Sequence, residues 1–425
     1  MPTPLMLGPV PVEFLLFALT LAGVAIFQRA TLQVALTGLG AILVEKALFA
    51  GFRDGPGFAG FAGHMAHEWV ILANLLLLLL GFALLSNHFE ESRVPLVLPK
   101  ILPDDWKGGF LLLWIVFVLS SFLDNIAAAI IGGTMARAVF RGRVHVGYLA
   151  AIVAASNAGG SGSVVGDTTT TMMWIDGVDP LDVLHAYVAA ATATLVMGLA
   201  ASRQQQAYSP ILKDMPEDTR VDWARVGIVA AILATAIVAN VVANVRFAEA
   251  LDRFPIIGLA VWAAILVTAP IRRPAWSLLP GALRGAAFLL ALVLCASLMP
   301  VEELPGASWP TALGLGFLSA VFDNIPLTAL ALKQGGYDWG MLAYAVGFGG
   351  SMIWFGSSAG VALSSAYPES RDVARWVREG WHVTVGYLVG FVVLLAVLGW
   401  HPTEKRQRGA EAPAAAIPAG QGRTP

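Results

Sequence analysis

Charge is what this chain has least of: Asp, Glu, Lys and Arg make up 13% of its 425 residues, roughly half the share found in ordinary soluble domains. So few charges cannot solvate the surface of a water-soluble fold, and a hydrophobic content of 57% with a mean hydropathy of +0.72 agrees. The composition is that of an all-α polytopic membrane protein, with no soluble domain expected. Cysteine is nearly absent. The single Cys295 excludes an intramolecular disulfide or a thiolate-cluster metal site, and its apolar surroundings predict core packing. A formal net charge of −2 excludes the basic surface that a nucleic-acid partner needs. No basic run precedes the first apolar stretch, which opens on Glu13, so the first helix is expected to be retained rather than cleaved as a secretory signal. No resident cofactor is expected.

What fills the chain is apolar sequence. Crossing a bilayer as a helix takes roughly 17 to 25 such residues, and ten stretches qualify: 12–27, 30–51, 69–86, 146–175, 183–201, 224–243, 255–270, 285–300, 340–365 and 381–399. Segments 108–136 and 311–333 differ, because each carries an Asp-Asn pair in its middle. They are expected to be re-entrant hairpins whose tips stop partway through the membrane, a backbone tolerated only inside protein or beside a wet cavity. Threading the chain on that basis gathers most basic residues on one side, Arg137, Arg141, Arg143, Arg371, Arg375 and Arg378 among them. The opposite loops hold only Arg53, Arg246, Arg253 and Lys333, so the richer side is expected to be cytoplasmic. An odd number of spans separates the two hairpins, which makes the halves inverted repeats. The expected organisation is a membrane half over 1–201 (hairpin 108–136, interrupted helix 146–175), a polar cytoplasmic linker over 202–223, a second half over 224–400 (hairpin 311–333, interrupted helix 340–365) and a disordered tail over 401–425.

The two halves share a pattern. SSFLDNIAAAIIGG followed by NAGGSGSVVGD matches SAVFDNIPLTALAL followed by GFGGSMIWFGS, so that Ser120, Asp124 and Asn125 answer to Ser319, Asp323 and Asn324. Gly159, Gly160, Ser161 and Gly166 likewise answer to Gly349, Gly350, Ser351 and Gly356. Duplicated, glycine-interrupted apolar segments point to the central site of a secondary transporter, and an acid within hydrocarbon is a functional site by default. Asp124 and Asp323 are the principal candidates. A hard monovalent cation wants oxygen ligands, which a carboxylate supplies together with Asn, Ser and Thr oxygens and carbonyls freed by a helix break. Low dielectric favours the protonated acid and a bound cation the ionised one, so one Asp can hold either H⁺ or Na⁺. The bland alternative is an Asp paired with Lys or Arg, or serving only as a helix cap. Asp167 has no acidic counterpart in the second copy and is read as a third carboxylate, with a capping role before Thr168 as its structural alternative. Asn157, matched by Gly347, is a weaker candidate ligand.

Other polar residues carry less. Glu45 and Lys46 adjoin and are expected to snorkel or pair with each other as structural residues, with a role in a proton path as the alternative. His64, His67, His88, His145 and His401 are placed in loops or the tail, with His185 and His382 near helix ends. Gly159 to Gly162 satisfy GxSG, the nucleophile pattern of intramembrane serine proteases, with His185 or His382 as a conceivable base. That reading leaves the duplication unexplained, since one nucleophile suffices.

At NAGGSGSVVGDTTTTMMWI, FDNIPLTA and GGSMIWFGSSAGV the chain resembles the NhaD-type sodium/proton antiporters, within the ion transporter superfamily that includes arsenite, citrate and dicarboxylate carriers. The likeness covers nearly all of the membrane portion. It implies two inverted halves with Asp124-Asn125 and Asp323-Asn324 at the hairpin tips. It further implies a site completed by Asn157, Ser161, Asp167, Thr168, Ser351, Ser357 and Ser358, and a homodimer. The expectation is therefore a multi-pass protein of the inner (plasma) membrane that is not an enzyme and exchanges Na⁺ or Li⁺ for H⁺. An organic-anion or arsenite carrier of the same superfamily is the alternative. Three acids would repel citrate or succinate unless cations bridged them, which favours cation exchange.

Overall fold

Hydrocarbon offers a backbone no hydrogen-bond partners, so a chain of this composition satisfies its amides internally, as helices. The computed structural model describes residues 5–7, 10–27, 30–52, 55–211, 220–247, 250, 253–301 and 304–405. Among them the only strands form a two-residue antiparallel pair, Met6–Leu7 with Val10–Pro11. The first group of helices is α1 (Val12–Ile26), α2 (Thr31–Glu45, continuing into a π turn, Lys46–Ala50) and α3 (Gly57–Glu91). Then come α4 (Trp106–Ser120), α5 (Asn125–Val139), α6 (Val146–Ser161), α7 (Thr168–Ile175) and α8 (Ala186–Tyr208). The second half contributes α9 (Trp223–Arg246), α10 (Ile256–Thr268), α11 (Leu279–Ser297), α12 (Trp309–Ser319), α13 (Asn324–Gln334), α14 (Trp339–Gly349), α15 (Ser358–Ala366) and α16 (Trp381–Leu398). Among the described residues six helical stretches are long and apolar enough to cross a membrane, including Gly57–Glu91, Pro180–Tyr208 and Trp381–Leu398. The protein is a multi-pass, all-helical membrane protein.

Packing sorts the helices into two groups. Helices α4 to α8 and α12 to α16 interlock, with α4 and α8 against α6, α12 against α14, α5 against α15, and α6 against α14. Helices α1, α2, α3, α9, α10 and α11 form the other group, which meets the first where α11 packs on α13 and α3 on α7. Every residue of α6 and of α14 is buried. A helix that is apolar and buried all round belongs at the centre of a bundle, so whatever follows the ends of α6 and α14 is delivered to the interior. Both ends are breaks: α6 stops at Ser161 and the chain resumes helix at Thr168, while α14 stops at Gly349 and resumes at Ser358.

The glycines before these breaks are there for close approach. A Cβ built on Gly159 would lie 1.9 Å from the Phe117 carbonyl oxygen, and one on Gly349 would lie 2.1 Å from the Gly316 carbonyl oxygen. Phe117 and Gly316 occupy matching positions in the two copies, so the repeat seen in sequence is also a repeat of contacts. Backbone cannot retreat from such a clash as a flexible side chain can. Gly159→Ala is expected to destabilise the fold by more than about 3 kcal/mol, read as loss of monodisperse protein in detergent gel filtration. Gly285→Ala, which nothing crowds within 4 Å, is expected to leave the yield unchanged.

Two local expectations are revised. His64, His67 and His88 lie within α3 rather than in loops, and His64 and His88 are buried. The reason is that Gly57–Glu91 has no proline to stop it, and at about 1.5 Å per residue it runs for roughly 50 Å, well past a hydrocarbon core of about 30 Å. Helix α8 continues to Tyr208, into the stretch read as a polar linker. Within that linker 212–219 fall outside the described residues, as do 406–425 of the stretch read as a disordered tail.

Candidate ion-binding site

The two Asp-Asn pairs have one geometry. In each copy a helix ends, the chain turns, and the Asp becomes the N-cap of the next helix: Asp124 at φ −53°, ψ 139° ahead of α5, and Asp323 at φ −53°, ψ 141° ahead of α13. A side-chain oxygen of Asp124 accepts from the Ile126 N–H at 3.1 Å, and one of Asp323 accepts from the Ile325 N–H at 3.1 Å. Capping of this kind satisfies one of the orphan amides at a helix start, and the positive end of the helix dipole favours the negative charge. Yet capping is not all these acids do. Asp323 also accepts from the Ser358 hydroxyl at 3.1 Å, reaching across to α15. Both Asp124 and Asp323 keep part of their surface accessible, whereas Asn125, Asn324 and Asp167 are buried.

Asp167 stands at the break after α6, as the N-cap residue of α7, but its carboxylate does not cap that helix. It turns inward instead. One oxygen accepts from Asn125 Nδ2 at 3.0 Å and the other from the Thr169 hydroxyl at 2.5 Å. Asp167 lies within electrostatic reach of Asp124 on one side and Asp323 on the other. The three acids thus share one interior region, and no Lys or Arg pairs with any of them among the described residues. The pairing alternative raised by the sequence therefore does not apply.

Asn157 joins the halves. Its oxygen accepts from Asn125 Nδ2 at 3.0 Å, and its own Nδ2 donates to Ser351 Oγ at 2.9 Å and Ser357 Oγ at 3.1 Å. A continuous chain of hydrogen bonds therefore runs Asp167, Asn125, Asn157, Ser351 and Ser357, from the first copy into the second. The mate of Asn157 is Gly347, and the mate of Asp167 is Ser357. A Cβ on Gly347 would lie 3.6 Å from Asp167 Oδ2. So where the first copy's helix puts a large amide against a small hydroxyl, the second copy's helix puts no side chain against an acid. The acid occupies room its counterpart concedes. A consequence appears at Asn324, which in the second copy has no side chain at 347 to match Asn157: its Nδ2 is buried with no hydrogen-bond partner among the described residues.

Other expected ligands behave differently. The Ser161 hydroxyl donates back to the Ala158 carbonyl at 2.8 Å, and Thr168, though buried, makes no side-chain hydrogen bond among the described residues. Thr169, one step further on, is the hydroxyl that meets the Asp167 carboxylate. Its sequence signal was the offset of two from Asp167, the spacing at which a hydroxyl reaches back to a preceding carboxylate. Ser120, the mate of Ser319, has a buried hydroxyl without a partner among the described residues. His382 faces Gln204 at 3.3 Å and His185 packs against Gly340, so neither engages Ser161. An open cavity of about 800 Å³, lined by Glu91, Arg93, Asp222, Arg225 and Arg272 among others, includes none of the three acids.

Fold and site together define a multi-pass helical membrane protein with a polar, triply acidic centre built from a duplicated motif. The chain is 27% identical over 372 residues, 76% of its length, to sodium/proton antiporter 1 of Arabidopsis thaliana, and it spans 59% of that relative. It is 26% identical over 322 residues to sodium/proton antiporter 2 of the same plant, covering 67% of this chain and 73% of the relative. No family model matches the chain.

Proposed function

We propose that this protein is a Na⁺(Li⁺)/H⁺ antiporter of the NhaD type, in which Asp124, Asp167 and Asp323 hold a cation and protons by turns. The observation that carries this reading is an interior acidic centre, with Asp167 buried, that has no basic partner among the described residues. Ionised acids left in a low-dielectric interior with no counter-charge are costly, by several kcal/mol each, and a bound cation or protons relieve that cost. Either ligand answers the need, which is the requirement for exchange. The relatives named as sodium/proton antiporters support the same ions.

The cation is assigned to the room beside Gly347, where Asp167 Oδ2 lies open on one side. Rotating the Asn324 amide would replace its orphan donor with an oxygen ligand, and Ser358 and Asp323 would complete the oxygen set. Asn125, Asn157, Ser351 and Ser357 hold these groups in place, and Ser161 and Thr168 line the surrounding wall. The halves are taken as inverted repeats, with α4–α5 and α12–α13 as re-entrant hairpins. On that topology the ions reach the centre alternately from the two faces of the plasma membrane, and the chain works as a homodimer.

The test is dequenching of a pH-sensitive dye in everted vesicles containing the overproduced protein. Addition of NaCl or LiCl is expected to dissipate an imposed proton gradient, with no such response in vesicles lacking the protein. Uptake of labelled citrate or arsenite with no cation-driven dequenching would replace this reading with the anion carrier.

A further inference from the structure

A second group of ionisable side chains is buried away from the centre, where α1 meets the end of α2. Glu13, Glu45 and Lys46 are 1%, 5% and 9% exposed. The sequence offers snorkelling or mutual pairing for Glu45 and Lys46, with a proton path as the alternative; in the structure the Lys46 ammonium reaches Glu13 Oε1 at 3.3 Å, across to the neighbouring helix. Glu45 is left over. Both of its oxygens, and Oε2 of Glu13, are buried without a hydrogen-bond partner among the described residues. The Leu5 backbone amide comes near the Glu45 carboxyl without hydrogen-bonding geometry. At Lys46 the helix changes from α to a π turn over Lys46–Ala50, a rare distortion that recurs at functional sites.

Fully ionised, the trio carries one surplus negative charge and three acceptor oxygens with no donor. A sodium ion is a poor remedy, since a hard cation wants several oxygens and the Lys46 ammonium stands among the few available. A proton needs one oxygen and one acceptor. We propose that Glu13, Glu45 and Lys46 form a proton site separate from the central acids, with Glu45 carrying the proton and its O–H donating to Glu13 Oε2. One proton brings the group to neutrality and converts an orphan acceptor pair into a hydrogen bond. The elements packed on this corner, α3 and α11, bring His64, His67, Glu68 and Cys295; His64 Nε2 is engaged with Ser297 Oγ at 3.0 Å. The inference does not rest on sodium binding at the centre.

Loss of the proton leaves a bare charge between α1, α2 and their neighbours. The native state binds this proton and the unfolded chain releases it above the ordinary carboxylate range, so stability falls as pH rises until the native site also lets go. The test is infrared difference spectroscopy of the full-length protein in lipid, titrated from about pH 6 to about pH 9, with melting temperature recorded in parallel. Glu45→Gln, an uncharged mimic of the protonated acid, is expected to remove one protonated-carboxyl C=O component and to flatten the alkaline fall in melting temperature. Glu13→Gln frees Lys46 to pair with Glu45 and is expected to remove the same component, so the result does not hang on one variant folding. Full retention of the band in both variants overturns the proposal. So does an alkaline fall in the native protein that NaCl abolishes and choline chloride does not, if it disappears with Glu45, since that would make the group a sodium site.

Discussion

Asp323→Asn is expected to abolish sodium-driven proton movement while leaving the protein folded in the membrane. Asparagine keeps the oxygen that accepts from the Ile325 N–H, and its NH2, standing where the second oxygen was, can donate to the Ser358 hydroxyl oxygen, so cap and contact survive. What disappears is the charge. At about 4 Å and an effective dielectric of about 20, one carboxylate contributes about 4 kcal/mol to a monovalent cation, which is about a thousandfold in affinity. Proton exchange at that residue is lost as well, because an amide does not titrate. The check is dye dequenching in vesicles matched for protein content by gel filtration, with Asp124→Asn alongside because its cap geometry is the same. Native exchange rates in either variant would remove the assignment of that acid.

Asn157→Ala acts through the scaffold. It strips the acceptor from one Asn125 N–H and the donor from Ser351 and Ser357, and those groups are buried at the seam between the two copies. Leaving a buried polar group unsatisfied costs about 1–3 kcal/mol, and the two hydroxyls can turn to recover part of that. A loss of about 3 kcal/mol in stability is expected, seen as a lowered melting temperature in detergent. Because Asn125 also holds Asp167, the acid is released with it, and exchange is expected to fall about tenfold to a hundredfold. A variant that melts and transports as the native protein does would show that the two halves are not joined through this amide.

Much of the centre can be read from the chain before folding. The Asp-Asn pairs stand out because they are acids in apolar sequence and occur twice, and the glycine clusters mark where helices must end or touch. The hub role of Asn157 is not legible, since its mate is a glycine and nothing local says that a side chain absent at 347 makes space for a carboxylate at 167. That relation exists only once α6 and α14 are packed together. The same limit hides Thr169 behind Thr168, where one step of helix decides which hydroxyl faces the acid. It also hides the partner of Lys46, since chain proximity favours Glu45 and only the packing of α1 on α2 brings in Glu13. The long α3 shows a different limit, that of apolar content as a ruler: its ends carry His64, His67, His88 and Glu91, so hydropathy shortens a helix that backbone propensity continues.

The claim on which the rest depends is that sodium and protons compete for one set of acids. It is tested most directly by adding NaCl to the purified protein in weakly buffered detergent solution and following pH and heat together. The account predicts release of protons as sodium binds, with binding and release both lost in Asp323→Asn. Sodium binding with no proton release, or proton release that persists undiminished in Asp323→Asn, would contradict it.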